Sequence, residues 1–393
     1  MTQTLLTPTA VTREVLRVLH EKASFIGTVN RTYDDSFAVK GAKIGDSLKI
    51  RLPNQYTVRT GKTLNAQDTD ETSVTLTAAT QKGVDMNFST AELAMSIDDF
   101  SKRIIEPAMS VLISNIESSM LSEVTKDIYN SVGTPGTTPN SFLFFGQARA
   151  KLNQGLAPKD NNRYTQLDSL AMATMVEAGK GLFQDANAIS KQYREGMIGR
   201  TAGFDWMENE RVYTHTTGSD HTTVTVNDGA IASGDTTITT AGGSVTVGTV
   251  FTFSGDAVKA VHPETKASYG HDQQFVITAV SGNDWTFSPA IITSGALQNV
   301  SKLPTNGAAI TLIGSASTAY PQHLAYHQDA FAFVSADLEL PQGVHFAARE
   351  QMDGLSVRIV RQYDINNDNI PCRLDILHGY KTLRAALACR ITG

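Results

Sequence analysis

Between Ser89 and Val132 the chain carries its longest helical signal. Ile97, Phe100, Ile104, Ala108, Val111, Met120, Val124 and Ile128 recur at steps close to three or four, with a break around Asn115 and Ile116, and so mark one apolar stripe. Ser96 offers a capping hydroxyl, while Asp98 and Asp99 set carboxylates against the free amides and positive end of a first turn. Pro107 cannot donate to a helical ladder and clashes with the turn before it. The stretch therefore reads as a short helix from Ile97 to Ile105 and a restart with Pro107 at the first position, where the missing N–H is harmless. Gly133, Pro135 and Gly136 close the signal. At about 1.5 Å per residue, Pro107 to Val132 spans roughly 40 Å. A strut of that length exceeds what a compact domain needs, so other parts of the chain must pack along it.

Upstream, Thr9 can cap a short helix whose face is Val11, Val15, Val18 and Leu19. A helix this short persists only when docked, which predicts an N-terminal arm laid on another part of the fold or on a neighbouring subunit. From Ile44 the period changes to two. Leu48, Ile50 and Leu52 alternate with Ser47, Lys49 and Arg51 until Pro53, and return strands follow at Ser73 to Thr77, with Val74 and Leu76 inward, and at Val84 to Phe88. Asn54 to Glu71 between them is too polar to pack on itself and predicts a projecting hairpin.

Downstream, Asn140 can cap a helix running through Leu152, and Leu167 to Ala178 reads as a second helix with Leu167, Leu170, Met175 and Ala178 near one face. The glycines of Gly199 to Trp206 signal turns leading into a strand. From His215 to Ser315 the composition shifts to Thr, Gly, Val and Ser. Six short alternating runs appear there: Thr222 to Val226, Thr236 to Thr240, Thr249 to Phe253, Gln274 to Val280, Asp284 to Phe287 and Ala309 to Ile313. Such spacing predicts a small β-barrel or sandwich. Gly354 to Tyr363 alternates again, Asp364 to Asp368 is a turn, and Arg373 to Gly379 returns as a strand.

With 393 residues the chain is long enough for about two to three domains. A net charge of −6 leaves no basic excess to neutralise phosphates, which argues against sequence-specific DNA binding. Met1 to Ala10 lacks a basic flank and an apolar core, and no run is long enough to span a bilayer, so the expectation is a soluble product made in the cytoplasm. Cys372 and Cys389 have neither CxxC spacing nor a secretory context and read as reduced thiols. Thr60-Gly61-Lys62-Thr63 holds the end of a phosphate-binding loop, but Tyr56 stands where the upstream glycine belongs and no helix follows; it reads as a hairpin turn. Asp364, Asn366 and Asp368 have the spacing of calcium ligands, yet Asn369 and Asp375 replace the required Gly and Glu, which leaves an Asx turn. His323 and His327 lack the glutamate of a zinc-protease helix and read as partly buried side chains. No catalytic, cofactor-binding or metal-binding residues are assigned, and no enzyme activity is expected.

Four stretches carry a family resemblance, one of them Gly199 to Trp206, which looks like the family segment that leads into a strand and reaches the insertion point. Leu93-Ala94-Met95-Ser96-Ile97-Asp98-Asp99-Phe100-Ser101-Lys102-Arg103-Ile104-Ile105-Glu106-Pro107 resembles the entry to the spine helix of tailed-bacteriophage major capsid proteins. Gly248 to Gly255, with His262 to Lys266 and Gln274 to Ile277, resembles the domain inserted in the coat proteins of short-tailed enterobacterial phages, in residue order and in position along the chain. Ser356 to Gly379 is similar to the family's closing strands. The resemblance implies an α+β, Hong Kong 97-type capsid fold with an N-terminal arm (1–40), an extended β-hairpin loop with flanking strands (41–88), a spine helix (89–133), a mixed axial domain (134–213), an inserted all-β barrel (214–317), and the rest of the axial domain with closing strands (318–393). It implies a coat protein that self-assembles as hexamers and pentamers into the icosahedral virion shell around double-stranded DNA, in the host cytoplasm. The implied partners are a scaffolding protein, a portal protein and a decoration protein, with non-specific proximity to packaged DNA and no membrane. An encapsulin-like compartment shell shares the fold, though the inserted domain counts against it. A β-rich adhesin or glycan-binding protein would make the Thr/Gly-rich middle the working part.

Overall fold

The computed structural model describes residues 13–15, 17, 23–32, 46–64, 66–68, 71–88, 106–179, 198–352, 355–366 and 369–392. In chain order, strands β1 (Asp46–Arg51), β2 (Ser73–Ala78) and β3 (Thr80–Phe88) precede helix α1 (Glu106–Lys126). There follow β4 (Ser131–Gly133), α2 (Phe142–Gln154), β5 (Arg163–Leu167), α3 (Ser169–Gly179), β6 (Arg200–Thr201), β7 (Phe204–Glu208) and β8 (Thr214–Thr216). The Thr/Gly-rich middle supplies β9 (Val224–Val226), β10 (Thr237–Ala241), β11 (Val250–Thr252), β12 (Lys259–Val261), β13 (Ser268–Asp272), β14 (Gln274–Ser281), β15 (Asp284–Ser288) and β16 (Ala309–Leu312). The chain closes with β17 (Ala319–His327), β18 (Phe331–Ala336), β19 (Phe346–Met352), β20 (Leu355–Arg361), β21 (Ile370–Thr382) and β22 (Ala388–Thr392). Two compact units result, one formed by 1–50, 73–120 and 331–381, the other by 51–72, 121–330 and 382–393.

The first unit is built on a sheet ordered β18-β21-β20-β19, with β3 antiparallel to β21 from Ile370↔Phe88 to His378↔Thr80. This corrects the expected hairpin: β2 pairs with β1, but the second return strand leaves that pair for β21. Beside β3, Asp375 is fully buried and receives Arg358 Nη2 at 2.7 Å and Arg373 Nε at 2.9 Å. Its cross-strand partner must be small. That partner is Gly83, where a Cβ would lie 2.5 Å from the Asp375 carboxylate. The segment around Phe25 is tied to α1 by the buried Glu117, whose Oε1 accepts the amides of Phe25 (2.8 Å) and Ile26 (3.2 Å). Phe25 also packs on Phe331, and Asn30 bridges to Ala332. Of the expected N-terminal helix, residues 13–15 and 17 are helical and Val15 is buried. Val11, Val18 and Leu19 lie outside the described residues, as does the expected helix from Ile97 to Ile105.

Helix α1 has Pro107 in its first turn and buries Met109, Leu112, Ile113, Ile116, Met120 and Val124. Two details of the expected stripe change. Val111 faces outward at 66% exposure, and Ile116, read as an interruption, belongs to the buried face. The helix also stops at Lys126 rather than Val132. Asp127 and Ile128 tighten the last turn with bonds to the carbonyls three residues back, and Ser131 to Gly133 then pair in parallel with Arg390 to Thr392. Strand pairing takes over where the sequence would also have allowed another helical turn.

In the second unit a seven-stranded sheet runs β4-β22-β17-β5-β7-β6, with β8 also paired to β17. Helix α2 lies on it and buries Phe145, Ala148 and Leu152, the Phe145 ring meeting Trp206 at 4.2 Å. Its cap is Ser141, whose Oγ accepts the Leu143 amide, not the expected Asn140. Leu167, expected in a helix, ends β5, and Asp168 caps α3 by accepting the Ala171 amide at 2.7 Å. The six runs of the middle region close into a barrel ordered β10-β15-β14-β11-β16-β9. Its interior is filled by Phe251, Phe253, Phe275, Trp285, Phe287 and aliphatic residues between them. Alternation along each strand sends these rings inward, and closure leaves no unpaired edge.

Candidate functional site: the barrel junction and the exposed loop

The chain enters and leaves the barrel side by side. Before it, β8 runs antiparallel to the start of β17 with Thr216 opposite Ala319, His215 opposite Tyr320 and Thr214 opposite Pro321. Thr217 fastens this base by donating through Oγ1 to Ser315 O at 2.6 Å, and the Tyr320 hydroxyl accepts the Ser315 amide at 2.8 Å.

Around that base, groups of the barrel meet the sheet and the end of α1. Gln274 in β14 uses its side-chain amide as a backbone mimic, accepting the Ser131 amide at 3.0 Å and donating to Ser131 O at 2.9 Å. Thr246 donates to Thr216 O at 2.7 Å, and His215 Nε2 meets Thr249 Oγ1 at 3.2 Å. Arg390, 1% exposed, donates through Nη1 to Gly248 O at 2.6 Å and through Nη2 to Lys126 O at 3.2 Å. Its guanidinium thus joins β22, the negative end of α1 and a barrel loop. Burial lowers its pKa to about 9, and burial followed by the charges of Arg390, Lys126 and His221 lowers His215 to about 4. His215 is therefore neutral at pH 7. Gly248 has φ +97°, and a Cβ there would lie 3.0 Å from the Lys126 side chain, so close approach and backbone angle both call for glycine.

The loop from Leu52 to Thr72 closes at its base through the Leu52 amide and Thr72 O, 2.9 Å, with an exposed Arg51–Glu71 ion pair beside it at 3.0 Å. Farther out, Gln67 accepts the Thr57 amide at 2.8 Å and donates to Thr57 O at 2.6 Å. Val58 and Leu64 are 94% and 81% exposed, with Tyr56 half-exposed. These apolar side chains stand open on an otherwise polar loop.

The sequence's other chemical candidates fall into structural settings. Gly61 lies in this loop at φ +102°, and Arg59 donates to its carbonyl. Asp364 Oδ1 accepts the Asn366 amide at 3.0 Å in an Asx turn, while Asp368 lies outside the described residues. His323 and His327 sit on β17, not on a helix, and both are fully buried; His327 Nε2 meets Asp160 Oδ1 at 3.0 Å. Burial pushes the thiols of Cys372 and Cys389 up to about 12, which keeps them protonated and poorly nucleophilic. Among the described residues no cluster of metal-ligating side chains forms.

These groups join strands and hold loops, and the arrangement defines a structural protein that works through its contacts. The chain belongs to the family of the P22 coat protein (gene protein 5), whose model matches residues 7–393. It is a major capsid protein of a tailed bacteriophage, a homo-oligomeric component of the virion capsid. That family is a structural one and not an enzyme family. Among solved structures, the chain is similar to Mycobacterium phage Che8 at 12% identity and a TM-score of 0.49, covering 94% of this chain and 90% of that one. The capsid of cyanophage P-SCSP1u aligns at 11% identity and a TM-score of 0.40, covering 90% of this chain and 85% of that one. The CUS-3 coat protein I-domain is 30% identical over 25% of this chain and 100% of its own length, with a TM-score of 0.21. A comparison with curated proteins finds no match.

Proposed function

We propose that many copies of this chain close an icosahedral shell, as hexamers and pentamers, around double-stranded DNA, and that the loop Asn54 to Glu71 bridges neighbouring copies. The observation that carries this reading is the family match over nearly the whole chain. The exposed Tyr56, Val58 and Leu64 support the bridging role, and the net charge of −6 suits a wall that DNA does not stick to. Assembly takes place in the host cytoplasm with a scaffolding protein and a portal, and a decoration protein can bind the finished shell. The protein has no catalytic role. The barrel, 214–317, is a domain inserted into an axial domain, and its adjacent entry and exit strands and self-contained aromatic core favour that division.

Electron microscopy of the expressed protein tests the reading. Closed shells are expected from the full chain, and deletion of Asn54 to Glu71 is expected to leave a folded chain that does not assemble. Normal shells from the deletion variant would remove the bridging role, and failure of the full chain to form particles alongside its scaffold would remove the shell itself.

A further inference from the structure

In the second unit, a cavity of ≈340 Å³ lies between the end of α2, the turn before β22 and the β12–β13 hairpin. Its size is at the small end of the range of about 300–1,000 Å³ usual for small-molecule sites. Lys151, Arg384 and His271 line it, and no aspartate or glutamate does. Among the described residues, the Lys151 and Arg384 side chains have no hydrogen-bond or ion-pair partner. The acids nearest by charge lie off the wall: Asp329 acts on Arg384 from a distance, and Asp272, beside His271, is bound to Lys259 at 2.7 Å. Wall amides are occupied as well, Gln273 donating to Gln274 O and Asn299 to Ala290 O. Two half-buried cations thus line a half-open recess whose wall holds no carboxylate.

We infer that this cavity binds a small phosphate-type anion, free phosphate or pyrophosphate, with Lys151 and Arg384 as its charge partners and the Tyr129 hydroxyl as a neutral donor. Burial pushes Tyr129 up to about 12, against the opposing effect of Arg384, so the hydroxyl keeps its proton. Arg384 supplies the planar fork that matches phosphate oxygens, and Lys151 supplies a point charge. Gln154 and Gly155, at the C-terminal end of α2, also border the space, and their partial negative charge opposes any anion there, so binding rests on Lys151 and Arg384. Phosphate can come from a free anion or from a nucleic-acid backbone. A recess of this size admits the first and excludes a duplex. The bound anion would tie the end of α2 to the β12–β13 hairpin. The inference does not depend on the shell reading.

Isothermal titration and thermal melting of the full chain, at matched ionic strength, test it with sodium pyrophosphate, sodium phosphate, sodium chloride and a short DNA duplex. Saturable binding of pyrophosphate near one per chain is expected, with a raised melting temperature and no such effect from chloride or duplex. The double variant Lys151→Met with Arg384→Gln should lose at least tenfold in affinity while melting no lower in chloride, and Lys62→Ala in the exposed loop should bind as the parent does. Lys151→Gln alone provides the same comparison if the double variant does not fold. Absence of saturable binding, equal binding by the Lys151 variants, or duplex binding that depends on Lys151 would overturn the assignment.

Discussion

Phe251 is the hub of the barrel core. It is fully buried, and its ring lies within 5.4 to 6.1 Å of the rings of Phe253, Phe275, Trp285 and Phe287. Truncating a buried phenylalanine to alanine costs about 3–5 kcal/mol, and the loss of several edge-to-face contacts places Phe251→Ala toward the upper half of that range. Against a domain stability of about 5–15 kcal/mol the change is large. At about 4–8 °C per kcal/mol for a barrel of this size, the melting temperature should fall by about 15–40 °C. The assay uses the excised fragment Thr214 to Ser317, which is expected to fold alone with β circular dichroism and a cooperative melt. Trp285 is the only tryptophan in that fragment, so its fluorescence reports the core directly. Phe251→Leu, which keeps most of the volume, should cost under about 2 kcal/mol. A loss below about 1 kcal/mol in Phe251→Ala, or a disordered parent fragment, would refute the claim that this aromatic cluster holds the barrel together by itself.

Three further outcomes are expected. Pro107→Ala, in the first turn of α1, should change stability by no more than about 1 kcal/mol and leave particle diameter normal; tubes or aberrant sizes under the microscope would show that the proline sets a bend. Gly248→Ala should destabilise by about 1–3 kcal/mol in a urea melt, through its positive φ and the Lys126 contact; an unchanged midpoint would mean that the junction yields easily. The third concerns acid. Burial lowers His215 and His378 to about 4, so the folded chain binds fewer protons than the unfolded one between the ordinary histidine value near 6.5 and pH 4. Stability should therefore fall as pH drops through that window, by at most about 3 kcal/mol for each histidine, and level off below it. Among the described residues neither buried ring nitrogen of His378, between Phe333 and Tyr380, meets a well-aligned hydrogen-bond partner, so His378→Phe should flatten the slope without loss at pH 7. An unchanged slope would exclude His378 as a source.

Little of the junction was legible beforehand. Arg390 and Gln274 stand in strands whose pattern marks them as ordinary polar positions, and their partners Lys126, Gly248 and Ser131 are more than a hundred residues away in sequence. The one local signal was Gly248, read as part of a family stretch and not as a point of close approach. The exposed loop was easier to see. Its lack of packing residues is a property of the segment itself, and Val58 and Leu64 stand open as that lack implies.

The sequence by itself determined the local elements. Period-two runs bounded by turn residues specified all six barrel strands to within a few residues, because alternation and turn chemistry act between near neighbours. It also specified that α1 exists, since a stripe at helical spacing needs no distant partner to be recognised. The tertiary structure decided which elements pair and where they end. Ser131 to Gly133 became a strand because β22 offered a free edge, β3 left the hairpin for β21, and Leu167 ended a strand because β7 lay alongside. In each case the local preferences differed little. Backbone hydrogen bonds and burial supplied by residues far along the chain outweighed them, and a local pattern holds no record of those partners.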